Sequence, residues 1–321
     1  MSRRLLILIP ALVAMTWMSC TTKRDGRAYR LYHNTTAKYN GFFYANEAHA
    51  EAEVKFEELH DERWDEVLPL FLESDEESAQ QIFPLMERAI EKCTRVVDRH
   101  TMAPPKRMTK SFSRPVMNKW IDDNYTVIGK SYYLKGDYPK AEEIFTYLAR
   151  TVNGDDAEAW AYSWLGRTHM RAGDDIKAKN ALAKAEGIRD ASDEAMVHTL
   201  LVLAQYRILT EEFEKAARHL EDALPRMGKK DKERTRTTFV LAQCLRAAGD
   251  KEGAIEQFQE VADMRWADYE WVFQGNIQQA MTYERRNGNS EAIVELLEDM
   301  LEDSKNEEFL DQVYYALGEV A

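Results

Sequence analysis

A small residue returns at an almost fixed interval through the second half of this chain, and that recurrence leaves few folds open. Gly129, Gly166, Ala204, Ala242, Ala280 and Gly318 are separated by 37, 38, 38, 38 and 38 residues. Twelve residues after each of the first five stands an alanine: Ala141, Ala178, Ala216, Ala254 and Ala292. Four further on stands a bulky apolar residue: Phe145, Leu182, Leu220, Phe258 and Leu296. Ile128, Leu165, Leu203, Leu241 and Leu317 precede their anchors, with Gln279 the exception. Apolar residues recur at helical spacing on both sides of a Gly-Asp break. Tyr125, Ile128 and Tyr132 come before Gly136-Asp137, and Ala141, Phe145 and Leu148 after it. Small residues are needed where two helices approach closely. Each unit is therefore a helix pair, A then B, that buries its face against the next.

The breaks carry their own chemistry. Gly136-Asp137, Gly173-Asp174, Gly249-Asp250 and Gly288-Asn289 place a left-handed terminator before a helix cap. The third unit has Leu209-Thr210-Glu211 instead. From Asp122 to Ala321 the pattern resembles the tetratricopeptide repeat, with a period slightly longer than that family's. The expected fold is all-α: a right-handed α-solenoid of tetratricopeptide-like helix pairs behind an N-terminal helical pair. Gly318 sits in a helix A whose stretch Val313 to Leu317 has no following helix B before Ala321. The expectation is that residues 1–321 are the N-terminal piece of a longer protein.

Composition agrees with an array. Only 14 Gly and 8 Pro in 321 residues argue against an all-β protein rich in turns. Hydrophobic content of 45% with 31% charged residues suits exposed amphipathic helices better than one thick core. A net charge of -13 excludes non-specific nucleic-acid binding, which needs a cationic face. The three cysteines, Cys20, Cys93 and Cys244, form no CxxC, so a cysteine-based zinc or redox site has no support. Cys93 and Cys244 fall inside apolar helical stripes, where cysteine acts as a small hydrophobe.

Residues 1–20 read MSRRLLILIPALVAMTWMSC. A basic start, an apolar run too short for a comfortable membrane span, and Ser19-Cys20 resemble a bacterial lipoprotein signal. That resemblance makes 1–19 a signal peptide and Cys20 the acylated N-terminus, with Trp17 where leucine is usual. Stable anchoring follows from more than one acyl chain. Residues 20–34 are polar and without periodicity, a tether.

Residues 35–100 read as two helices. Asn34 or Thr35 caps the first, whose Tyr39, Phe42, Phe43, Ala52, Phe56 and Leu59 are spaced for one face. The acidic stretch 61–78, broken by Pro69, reads as a loop or short turn. Ser78-Ala79-Gln80-Gln81 is a capping-box pattern opening the second helix, with Pro84 near its start. Ile82, Leu85, Ala89, Ile90, Cys93 and Val97 face inward. Residues 101–117 form a linker containing Pro, in a basic stretch running from Arg99 to Lys119 without an acid. It is either a solvated connection or a basic docking loop for an acidic surface or lipid headgroups. The repeat array then runs over 118–321.

Catalytic constellations are lacking. Gly129-Lys130-Ser131 resembles the end of a phosphate loop, but that loop needs a glycine where Asn124 stands. Glu57 and His60 form one Glu-x-x-His pair with no second pair to complete a di-metal site. No nucleophile elbow, zincin helix or dinucleotide fingerprint occurs. The chain reads as a non-enzyme with no cofactor and no metal. The aromatic run Trp266 to Phe273 reads either as packing between the fourth and fifth units or as a partner contact.

Two N-terminal stretches carry a more particular resemblance: His33 to Gly41 (HNTTAKYNG), and Trp120 to Tyr125 (WIDDNY) leading into Ile128-Gly129-Lys130. With the lipoprotein signal in front and repeats behind, the chain resembles the PorW/SprE lipoproteins of Bacteroidetes. That resemblance spans essentially the whole chain. It implies an outer-membrane lipoprotein facing the periplasm, a scaffold or adaptor between ring and translocon proteins in type IX secretion and gliding motility. The other readings are a periplasmic peptide- or glycan-binding lipoprotein using the same groove, and a hydrolase in a repeat fold, which the missing motifs disfavour.

The tetratricopeptide resemblance also implies which helix A residues line a partner groove. The charged ones are Asp123, Lys130, Arg167, Arg171, Arg236, Arg246, Glu284 and Arg285, six basic against two acidic. Tyr133, Trp160, Met170, Ile208, Phe239 and Met281 supply apolar contacts between them. Either the arginines pair with acids on neighbouring helices, or the groove takes a carboxylate-bearing partner segment, since arginine binds carboxylates bidentately. Thr126 and Lys130 depart from the carboxylate clamp of chaperone-binding repeats, so no chaperone-tail specificity is expected.

Overall fold

In the computed structural model the residues described are 26–73, 76–102, 118, 120–151, 155–283 and 290–320. Among them there is no β-strand. They fall into two compact units, Met1–His60 with Leu72–Ala191, and Asp61–Phe71 with Ser192–Ala321. Cys20, Lys106, Arg107, Lys110, Arg114 and Arg285 lie outside the described residues, and with them the lipid anchor and most of the basic linker. No described helix is long and apolar enough to cross a membrane.

The first unit opens with α1 (Arg27–Thr36), a π-helical turn (Ala37–Phe42) and α2 (Phe43–Leu59). Then come α3 (Glu76–His100), α4 (Ile121–Leu134), α5 (Tyr138–Thr151), α6 (Asp155–Arg171) and α7 (Asp175–Glu186). From α2 onward each helix packs on the next. The second unit holds α8 (Asp193–Leu209), α9 (Phe213–Ala223), α10 (Lys232–Ala248), α11 (Lys251–Ala262) and α12 (Tyr269–Thr282). It ends with α13 (Ser290–Glu302) and α14 (Leu310–Val320). Here α8 to α12 stack in order, and α14 packs on both α12 and α13. Each unit is an all-α stack of tetratricopeptide-like helix pairs.

The anchors do what their size demands. A methyl group on Gly129 would sit 2.6 Å from the Phe145 ring, and one on Gly166 would sit 2.4 Å from Leu182. Helices A and B touch at these points, and the bulky residue of B fills the space that the glycine vacates. Ala204, Ala242 and Ala280 hold the same place, fully buried. Between the helices Gly136, Gly173 and Gly249 are left-handed (φ 74°, 75° and 93°). Asp137, Asp174 and Asp250 then accept the backbone N–H of Lys140, Lys177 and Gly253. In the unit without that glycine, Glu211 takes the left-handed conformation instead (φ 57°).

Several expectations need correction. Residues 27–34 are helical, not tether: His33 and Ala37 are buried, and the Asn34 amide donates to the Arg30 carbonyl instead of capping a new helix. The π turn adds a residue to the helical cycle and rotates the face that follows. Tyr39 and Phe43 consequently point outward, 57% and 51% exposed, while Ala45, Ala48, His49, Ala52 and Phe56 are buried. Helix α3 starts at Glu76 rather than after Ser78, so Pro84 lies well inside it. In the last helix B the apolar face is shifted by one residue: Ile293 and Leu297 are buried, and Ala292 is exposed. Gly318 has no neighbour where its Cβ would be, so it is not a close-packing position here. Cys93 and Cys244 are free, buried, and pushed up to about 12 by that burial. They belong to different units.

The largest departure is the stretch 61–71. It is a loop with a turn at Trp64–Asp65, as read, and its acids Asp61, Asp65 and Glu66 are exposed, but its apolar residues are not solvated. Leu68 is 1% exposed and Leu70 6%, both within the core of the second unit.

Candidate peptide-binding groove

Residues Asp61–Phe71 lie as a strap on the helix A face of the second unit, formed by α8, α10 and α12, with a turn in which the Glu66 N–H donates to the Arg63 carbonyl at 3.1 Å. After that turn local chemistry favours an extended form over 67–70. Pro69 biases Leu68 away from helical backbone, and Val67 is β-branched. In an extended chain, residues two apart point the same way, which sends Leu68 and Leu70 together into the helices.

Three glutamines hold the strap by its backbone. The Leu68 N–H donates to Gln243 Oε1 at 2.9 Å, and Gln243 Nε2 donates to the Glu66 carbonyl at 2.7 Å. The Leu70 N–H donates to Gln205 Oε1 at 2.7 Å. Gln278 Nε2 donates to the Trp64 carbonyl at 3.2 Å. One side-chain amide offers both a donor and an acceptor, so Gln243 engages the strap as a neighbouring β-strand would. Such bonds are indifferent to the side chains of the segment they hold.

Side chains supply the rest. Trp64 meets Phe239 and Trp271 edge to face, with centroids 5.2 and 4.8 Å apart, and its indole N–H donates to Glu270 at 3.1 Å. Ile208 belongs to the same buried cluster as Leu68 and Leu70. Arg236 pairs with Glu62, donates to the Pro69 carbonyl at 3.0 Å, and lies over the Trp271 ring. Arg246 donates to Gln278 Oε1 at 2.7 Å and to Thr282 at 3.4 Å. Burial lowers its pKa. Met281 is exposed, 39%.

The first unit has its own cluster, built on Glu73. The Tyr133 hydroxyl donates to Glu73 Oε2 at 2.6 Å, and Arg167 donates to Oε1 at 3.1 Å. Arg171 stands 3.8 Å away and also donates to Tyr138. Arg167 is buried over the rings of Trp164 and Tyr133. Burial disfavours its charge, but Tyr133 and Glu73 outweigh that, and its pKa is raised. Burial pushes the Tyr133 hydroxyl up as well. Lys130 sits over Trp160 and Trp164, 4.9 and 5.2 Å from their centroids. Met170 is half-buried at the end of α6.

The structure thus gathers Tyr133, Arg167 and Arg171 around one carboxylate, and Ile208, Arg236 and Phe239 around the strap. Glu73, facing Arg167 and Arg171, and Glu62, facing Arg236, both come from the chain's own segment 61–73. Sequence reading passed over Gln205, Gln243 and Gln278. Gln205 and Gln243 directly follow their anchors, as Lys130 and Arg167 do, but a search for charge and bulk overlooks a neutral amide. Of the aromatic run, Phe273 is core and Trp271 packs on the strap, while Trp266 is 44% exposed. No grouping of three metal-ligating side chains occurs among the described residues.

No protein-family model matches the chain, and no curated protein does. Among solved structures it is similar to the Cut9-Hcn1 hetero-tetramer of the APC/C, with TM-score 0.45 and 14% identity over 91% of this chain and 48% of that one. It is also similar to BtubC (BKLC) from P. vanneervenii, with TM-score 0.44 and 14% identity over 75% of this chain and 85% of that one. The TPR2AB domain of yeast Sti1, in a complex with pHSP90, gives TM-score 0.28 and 12% identity over 76% of this chain and 96% of that one. The chain spans about half the length of the first of these. At such identities and scores the likeness bears on neither function nor partner.

Proposed function

We propose that the chain is a non-enzymatic scaffold that binds other proteins through its helix-pair arrays. The observation that carries this reading is the glutamine-lined face that holds a non-helical segment by its backbone. The segment this face holds is itself a peptide, which favours the peptide-binding version of the alternative reading over its glycan version.

The finer reading is an outer-membrane lipoprotein of type IX secretion and gliding motility, similar to PorW/SprE and acylated at Cys20. It faces the periplasm and contacts ring and translocon proteins. Its support is the lipoprotein-like start and the two N-terminal stretches that carry the resemblance. Those stretches pack on each other in the first unit. Lys38 lies over the Trp120 ring at 5.0 Å, and Phe42 meets that ring at 5.4 Å. Asn118 donates to the carbonyls of His33 and His100, tying the same corner. Packing of this kind gives the two motifs a reason to occur together.

The test is a cross-linked pull-down of the lipidated chain from outer membranes. Recovery of ring or translocon proteins is expected, and recovery of neither would overturn the secretion reading. Cys20→Ala should release the chain into the soluble periplasmic fraction; unchanged membrane association would overturn the anchor.

A further inference from the structure

The strap is held both by glutamine contacts to its backbone and by pockets for Glu62, Trp64, Leu68 and Leu70. We infer that the helix A face of the second unit is a binding site for an acidic–aromatic peptide of a partner protein, and that residues 61–71 are its resident competitor. This rests on the protein-binding reading above and names the class of ligand for it.

Three observations carry the inference. The strap is not part of the repeat: it leaves α2 at Leu59, returns to α3 at Glu76, and is a guest in a unit otherwise built from 192–321. Its hydrogen bonds to Gln205, Gln243 and Gln278 all run to its backbone. Backbone recognition of an extended segment, with side-chain pockets adding selectivity, is a general mode of peptide capture. Finally, the pockets define a chemical pattern. A carboxylate meets Arg236, an aromatic ring two residues on meets Phe239 and Trp271, and two leucines separated by one residue enter the core. Glu62, Trp64, Leu68 and Leu70 fill that pattern from within. The partner segment that replaces them carries the same order: acid, aromatic, then two bulky apolar residues flanking one position.

The experiment uses the full chain and a fluorescently labelled peptide spanning residues 60–71, followed by anisotropy. The intact chain should bind it weakly, because its own strap competes at high effective concentration. A Trp64→Ala, Leu70→Ala variant that keeps its circular dichroism should bind at least tenfold more tightly. Adding Gln205→Ala and Gln243→Ala to that variant should abolish the gain. A folded strap variant that binds no better than the intact chain overturns the proposal. Should that variant unfold, hydrogen exchange on the intact chain decides. The amides of Leu68 and Leu70 should exchange at least tenfold faster than those in the middle of α10; equal rates mean that the strap leaves only on global unfolding, which overturns it. Failure here with secretion proteins still captured would leave the scaffold reading intact and move its partners to another face.

Discussion

Gln243→Ala isolates the clamp. The side chain is 1% exposed and spans two backbone groups of the strap, accepting from Leu68 and donating to Glu66. Each net hydrogen bond contributes about 0.5–1.5 kcal/mol, and a buried group left without a partner costs about 1–3 kcal/mol. The Leu68 N–H belongs to a residue that is 1% exposed, so water cannot readily replace the lost acceptor. Two lost bonds with one stranded donor give a loss of about 3 kcal/mol. For a domain of roughly 150–250 residues each kcal/mol moves the midpoint about 2–4 °C, so Tm should fall by about 6–12 °C. Urea unfolding followed by tryptophan emission is the assay, since Trp64 and Trp271 lie in the strap's packing. The midpoint should fall with little change in slope. A loss under about 1 kcal/mol would refute the reasoning, because a buried amide bridging two backbone groups could not then be holding them.

Three further outcomes follow from the same geometry. Gly129→Ala drives a methyl into the Phe145 ring and should cost about 1–3 kcal/mol, whereas Gly318→Ala meets open space and should be neutral or stabilising in thermal melts. Glu211→Gly relieves a left-handed φ of 57° and should stabilise by about 0.5–1 kcal/mol in urea titrations. His49, bonded to Ser131 at 2.8 Å, is lowered to about 4, chiefly by burial and then by Lys130. The unfolded chain protonates near 6.5, so its contribution is complete above that pH and is lost as pH falls from 6.5 toward 4. The loss is on the order of 3 kcal/mol, and His49→Gln should flatten that limb of the stability–pH curve.

The array was legible because its determinants are local. Gly129 and Phe145 lie within one helix pair, and the Gly-Asp turns announce themselves within two residues. Glu211 shows how far the scaffold dictates backbone: the turn keeps its left-handed residue even without glycine. Register failed where one residue is added. The π turn at Ala37–Phe42 turned Tyr39 and Phe43 outward, and the last helix B buries Leu297 in place of Leu296. The strap was invisible for a different reason. Leu68 is 175 positions from Gln243, and Trp64 is 214 from Gln278. Neither periodicity nor composition records such pairings. Pro69 does stand in a loop, but the leucines on either side of it are buried. Arg236 meets Glu62, and Arg167 and Arg171 face Glu73, but these carboxylates sit in a stretch whose acidity reads as solvation.

Site-specific photo-cross-linking tests the central claim most directly. A benzophenone side chain placed at position 64 of the full chain, irradiated and mapped by mass spectrometry, should couple to peptides of α10 and α12 that contain Phe239 and Trp271. Cross-links confined to other parts of the chain, or none at all, would contradict the strap's place on the glutamine-lined face.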